Sequence, residues 1–129
     1  MFHELQVDIV TPEKLAFSGK AQEVRAPGWK GEFGVLPDHI MYLALLRVGH
    51  CTVVTPDEEI NYVVGRGFAE AGGERVTLLV DSCELASEID KEEAAHEMRE
   101  AEAALTQANV WAKGFDIVQN RYDMARARM

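Results

Sequence analysis

Near residue 87 the hydrophobic period of the chain switches from two to about 3.6, and no other feature limits the fold as much. Before the switch, Leu5, Val7 and Ile9 alternate with other residues, and Leu15 and Phe17 repeat that spacing. Thr11-Pro12 reads as a turn, and Ser18-Gly19 as another before an extended pattern resumes over Ala21 to Arg25. Tyr42 to Leu46 and Cys51 to Val54 flank Val48-Gly49, and Thr55-Pro56-Asp57-Glu58 forms the next turn. Ile60 to Val64 and Val76 to Val80 are rich in β-branched residues, with Gly72-Gly73 as a hairpin tip between strands. Turn signals about every ten residues predict an antiparallel β-sandwich or barrel.

After the switch, Asp90 and Glu93 have the spacing of an N-cap and its capping-box partner, and Glu92 and Glu93 suit the positive end of a helix. Ala94, Met98, Ala101, Leu105 and Ala108 then share one face. Asn109 and Gly114 bracket a break, and Trp111, Phe115, Val118, Tyr122 and Ala125 form a second stripe. The expected architecture is an all-β antiparallel sandwich over 1–86, followed by an antiparallel α-helical hairpin over 87–129.

A chain of 129 residues, 47% hydrophobic, can bury one core without staples. Its 22 acidic against 13 basic side chains, net −9, argue against nucleic acid as the ligand. Cys51 and Cys83 lack metal-ligand spacing and read as buried or half-buried thiols of a reducing compartment. Met1-Phe2-His3-Glu4 carries no signal-peptide pattern, and the longest apolar run, Ile40 to Leu46, is far short of the roughly 20 residues that span a bilayer, so no direct membrane insertion is expected. His3, His50 and His96 stand apart without a nucleophile at triad spacing, and Asp57-Glu58-Glu59 reads as a solvated tip. No catalytic set, cofactor or metal site is expected.

The segment APGWKGEFGVLPDHI, residues 26–40, is unlike an ordinary exposed loop. It combines Pro27, Gly28, Gly31, Gly34 and Pro37 with Trp29, Phe33, Val35 and Leu36, so it either folds into the core or faces a partner. Together with VTPEKLAFSGKAQEVRAPG, LLRVG and YVVGRGFAEAGGERVTLLVDSCELASEIDKEEA, it closely resembles the epsilon subunit of the F-type ATP synthase, the mitochondrial delta family, over nearly the whole chain. Gly65-Arg66-Gly67 lacks a following helix, so it reads as a bulge or a close backbone approach between strands and not as a nucleotide loop.

The resemblance implies a non-catalytic central-stalk subunit that couples the gamma subunit to the c-ring of a rotary ion-transporting motor. Its location would be peripheral, on the cytoplasmic face of the bacterial plasma membrane. Gly31, Glu32, Gly34 and His39 match the family positions that meet gamma and the c-ring loops. Phe33, Val35 and Leu36 are expected to close the sandwich instead. The segment departs from the usual pattern at Asp38, commonly Gly, and at Ile40-Met41, commonly Ala-Pro. Some relatives bind ATP through Ile or Leu, Asp, two variable residues, Arg and Ala. Here the stretch is Ile89, Asp90, Lys91, Glu92, Glu93, Ala94, and an anion replaces the phosphate-facing cation, so no nucleotide site is expected.

Residues 87–109 hold seven acidic and two basic side chains, net −5, while residues 110–129 hold two acidic and four basic, net +2. Charge complementarity lays the basic helix, with Arg121, Arg126 and Arg128, against the acidic one when the tail is folded. The resemblance implies that when the tail extends the same arginines meet the beta subunits of the alpha/beta hexamer and slow ATP hydrolysis. The residues alone leave two other readings open, a small ligand-binding β-sandwich and a coiled-coil adaptor using the tail.

Overall fold

Alternation puts Leu5, Val7 and Ile9, all fully buried, on one face of the first strand, β1 (Leu5–Val10). The computed structural model describes residues 4–35, 41–107 and 114–129, with nothing described of the Tyr42 side chain. The strands that follow are β2 (Leu15–Ala21), β3 (Glu23–Gly28), β4 (Gly31–Val35), β5 (Tyr42–Leu46), β6 (Gly49–Val54), β7 (Glu59–Val64), β8 (Gly67–Gly72), β9 (Arg75–Val80) and β10 (Cys83–Leu85). A 3-10 turn, Ala86–Glu88, leads into α1 (Lys91–Gln107) and α2 (Phe115–Arg128).

The strands lie in the order β10-β7-β6-β3-β5-β8-β9-β1-β2, with β4 added beside β3. The fold-over falls on β3, whose Glu23 to Arg25 pair with β6 while Gly28 pairs with Leu46 of β5. One apolar cluster therefore draws Cys51, Val53 and Val64 from one arm and Leu5, Ala69 and Leu78 from the other. Two arms sharing one core make a sandwich, as the period of two predicts.

Two details differ from the sequence reading. Pairing is antiparallel except between β1 and β9, which run parallel from Gln6↔Arg75 to Val10↔Leu79. Ser18-Gly19 is not a turn but the middle of β2, paired with Asp8 and Val7. Phe17 compensates for the missing side chain there, its ring edge 3.4 Å from where a Gly19 Cβ would stand. The chain turns at Gln22 instead, whose N–H donates to the Val54 carbonyl at 2.7 Å. Gly67 does mark a close approach: a Cβ there would collide with the Leu79 carbonyl across the β8–β9 ladder.

Cys51 and Cys83 are free and buried. Burial pushes the Cys51 thiol up to about 12 and the Cys83 thiol up to about 11. Neither thiol is ionised at neutral pH, so an aromatic disulfide reagent at pH 7.5 is expected to label the native chain at least a hundredfold more slowly than the chain in guanidinium, read by absorbance.

The helices form a hairpin that meets the sandwich through α2, against β6 and β7. Val63, on the outer side of β7, joins Ile89, Ala94, Met124 and Ala127 in a small second cluster. Of the predicted α1 stripe, Ala94 and Ala101 are buried and Met98 and Leu105 half-buried. In α2, Ala125 is buried and Phe115, Val118 and Tyr122 are half-buried. Ala108, Asn109 and Trp111 lie outside the described residues. Gly114 begins α2 with a φ of 93°, a left-handed conformation suited to glycine.

Candidate functional site

The glycine-rich segment forms a hairpin, β3 to β4, with Trp29-Lys30 at its turn. Glycine is needed on both sides of the turn. Gly31 has a φ of 123°, and a Cβ on Gly28 would lie 2.9 Å from the Gly31 carbonyl and the Phe33 ring. The two faces of β4 differ. Val35 is buried and Phe33 packs against the main core, while Glu32 and Gly34 face solvent. Leu36, Asp38, His39 and Ile40 lie outside the described residues.

Beside this tip, the outer face of the β5-β8-β9-β1-β2 arm carries an apolar row that the sequence reading missed. Leu45 pairs with Phe68, Phe68 with Leu79, Leu79 with Val10 and, past a β-bulge in the β1–β2 ladder, Val10 with Leu15, so one row crosses five strands. Leu45 is 65% exposed, Leu15 58%, Phe68 38% and Leu79 36%. Leu43 and Trp29, also exposed, extend the row toward the hairpin, where Trp29, Glu32, Leu43 and Leu45 line one groove. The next row is polar: Asp8 accepts from Ser18 Oγ at 2.7 Å and pairs with Arg75 at 3.1 Å. A signal for the apolar row was present in the sequence. Leu43, Leu45 and Leu46 in β5, and Leu78 and Leu79 in β9, occupy both parities, and a strand apolar on both sides is covered on both sides.

The tail arginines separate into three environments. Arg121 reaches across the hairpin, its Nε donating to Glu97 Oε1 at 2.5 Å and its Nη2 to Glu100 Oε2 at 3.3 Å. The Arg121 hydrogen bond holds the Glu97 carboxyl below the usual carboxylate range, and Glu97 in turn raises the guanidinium. Arg128 pairs with Glu84 of β10 at 3.1 Å, so it binds the tail to the sandwich and not to α1. Arg126 pairs with neither; it lines a groove with Trp29, Arg47, His50 and Asp123. The docked end is also held by His50, whose Nε2–H donates to the Ala127 carbonyl at 2.7 Å. Only a protonated Nε2 can donate to a carbonyl, which selects that tautomer in a neutral ring.

At the degenerate nucleotide stretch, Asp90 Oδ1 accepts from the N–H groups of Glu92 at 2.9 Å and Glu93 at 3.1 Å, an N-cap for α1. Among the described residues Glu93 returns no side-chain bond to Asp90, so the reciprocal half of the capping box is not formed. Ile89 and Ala94 are spent on the apolar contact with Met124 and Ala127. Among the described residues no group of His, Cys, Asp and Glu gathers at metal-binding distance, and no helix is long and apolar enough to cross a membrane.

A β-sandwich with an attached C-terminal helical hairpin is the layout of a delta/epsilon-type subunit. A sequence profile described as "ATP synthase, Delta/Epsilon chain, beta-sandwich domain" matches residues 4–86. The ATP synthase epsilon chain of Anaeromyxobacter dehalogenans is 38% identical over 125 residues, covering 97% of this chain and 95% of that one. The epsilon chain of Geobacter sulfurreducens is 35% identical over 129 residues, 100% of this chain and 94% of its own. In the cryo-EM structure of the Euglena gracilis mitochondrial ATP synthase, described as OSCP/F1/c-ring, one chain superposes with a TM-score of 0.83. It is 18% identical, covering 96% of this chain and 78% of that one, a likeness of fold. The chain belongs to the ATP synthase epsilon chain family. It is a non-catalytic subunit of the F-type ATP synthase.

Proposed function

We propose that this chain joins the gamma subunit to the c-ring, using the two adjoining surfaces for different partners. The apolar row through Leu45, Phe68, Leu79, Val10 and Leu15 takes gamma, because a contact that must transmit rotation needs buried area with fixed register. The hairpin tip, with Gly31, Glu32 and Gly34, reaches the polar loops of the c-ring, and Glu32 accepts hydrogen bonds from basic groups there. His39 belongs to the same contact by family resemblance. The observation that carries this reading is the five-strand apolar row ending at the tip. The location that follows is peripheral, on the cytoplasmic face of a bacterial plasma membrane, attached through these partners. Immobilised full-length chain is expected to capture purified gamma, and the intact c-ring once gamma is bound. Capture of neither would refute the proposal.

The tail serves as a two-position regulator. It is docked here, and when it leaves the sandwich Arg121, Arg126 and Arg128 become free to meet acidic segments of the beta subunits. Nucleotide does not govern the change through the Ile89–Ala94 stretch, where Asp90 is used as a cap and Glu92 and Glu93 repel phosphate. Calorimetry with ATP and the full-length chain is expected to show no micromolar binding.

A further inference from the structure

The contact that seats α2 on the sandwich is small, and a thioether lies within it. Of the α2 residues in the second apolar cluster, Met124 and Ala127, only Met124 is large, and it packs with Val63, Ile89 and Ala94. The Ser82 hydroxyl, in the turn between β9 and β10, donates to the Met124 sulfur at 3.9 Å. The other ties of the docked end are polar: His50 to the Ala127 carbonyl, Arg128 to Glu84 at 3.1 Å, and Lys91 Nζ to the Met129 carbonyl at 3.0 Å. Partly exposed polar pairs add little to stability, so docking leans on the apolar cluster. Met124 is half-buried, whereas Ala125 beside it is buried. Cys51 and Cys83, held as neutral thiols by burial, react slowly with a peroxide because the thiolate is the nucleophile. A thioether needs no such ionisation, which leaves Met124 as the oxidisable sulfur between tail and sandwich.

We propose that Met124 is a site of reversible oxidation by hydrogen peroxide, and that its sulfoxide releases the tail from the sandwich. The sulfur lone pair attacks one peroxide oxygen and the O–O bond breaks. The proton on the transferred oxygen passes to the departing hydroxide, giving sulfoxide and water. Sulfur loses two electrons and the peroxide gains them. The product replaces an apolar side chain with a polar one whose oxygen is a strong acceptor. Against Val63, Ile89 and Ala94 that oxygen is cut off from water, and Ser82 offers it a single proton. With the tail released, water solvates it fully, so oxidation favours the released state. What the released tail then meets rests on the two-position reading above, whereas release itself is a property of the isolated chain.

The test treats the full-length chain with hydrogen peroxide, follows each methionine by peptide mass spectrometry, and measures hydrogen exchange over α2. Once Met124 carries oxygen, exchange over α2 is expected to run about tenfold faster, and to return to the starting rate after the two epimer-specific methionine sulfoxide reductases act. Met124→Leu keeps the volume without the sulfur and is expected to exchange at the parental rate before and after peroxide. Met41 and Met129, 79% and 55% exposed, are oxidised in both chains and serve as the internal control. Met98→Leu removes the half-buried methionine of α1 and leaves the response intact. Met124→Gln, polar and of similar length, is expected to exchange fast without peroxide. Sulfoxide at Met124 with unchanged exchange overturns the proposal, as does acceleration that persists in Met124→Leu. So does a Met124 still reduced once Met41 and Met129 are fully oxidised. None of these measurements involves hydrolysis by the complex, which tests the regulatory reading separately.

Discussion

Replacing Phe68 with glutamate is expected to weaken gamma binding by at least thirtyfold while leaving the fold intact. Phe68 lies at the second of five positions in the apolar row, between Leu45 and Leu79, and its ring points away from the main core. A central aromatic anchor of an interface typically accounts for 2 kcal/mol or more, which is about thirtyfold in Kd. A carboxylate there must also be desolvated against apolar neighbours. Leu79→Glu should act in the same direction. Lys20→Glu, on β2 and away from the row, should not. Surface plasmon resonance with purified gamma reads the affinity, and thermal melting followed by circular dichroism shows whether the sandwich survives. Near-parental affinity for both Phe68→Glu and Leu79→Glu would remove the row from the gamma contact.

Ending the chain at residue 86 is expected to leave a cooperatively folding sandwich and to release ATP hydrolysis in the reconstituted complex by roughly fivefold, the low end of allosteric coupling. The main core runs from Leu5 to Cys83 with Leu85 packed against it, so the truncation removes none of its members. What it uncovers is Val63 and the outer side of β7, now covered by Ile89, Ala94, Met124 and Ala127. We therefore propose 1–86 and 87–129 as separate folding units, the second less stable. The triple variant Arg121→Ala, Arg126→Ala, Arg128→Ala should also raise hydrolysis, by a different balance. It loses the contacts to beta, but it also loses the docking pairs of Arg121 with Glu97 and Glu100 and of Arg128 with Glu84. Hydrogen exchange over α2 separates the two effects, because only the docking loss accelerates exchange in the isolated chain. Equal hydrolysis rates for all three chains at low salt would leave the tail no regulatory role.

Much of this architecture was legible because local chemistry and fold agree. The period of two along Leu5, Val7 and Ile9 and the stripe through Ala94 and Ala101 each need one buried face, and a sandwich beside a hairpin supplies both. Asp90 could be recognised as a cap because an N-cap bond is made within four residues of chain.

Features that join distant strands were not legible. Leu15, Val10, Leu79, Phe68 and Leu45 form a row only after β1 pairs in parallel with β9, and no local pattern specifies that pairing. Ser18-Gly19 looked like a turn because turn preference is local, whereas Phe17 covering Gly19 and the ladder to β1 keep it extended. The tail's net charge of +2 indicated complementarity with α1, yet its three arginines go to three places: one to α1, one to β10 and one to a groove beside Arg47. Charge count depends on composition alone, and so the sequence by itself settled the sign of the tail. Partner choice depends on where α2 comes to rest on β6 and β7, a packing decision made by Val63, Met124 and Ala127 that only the tertiary structure shows.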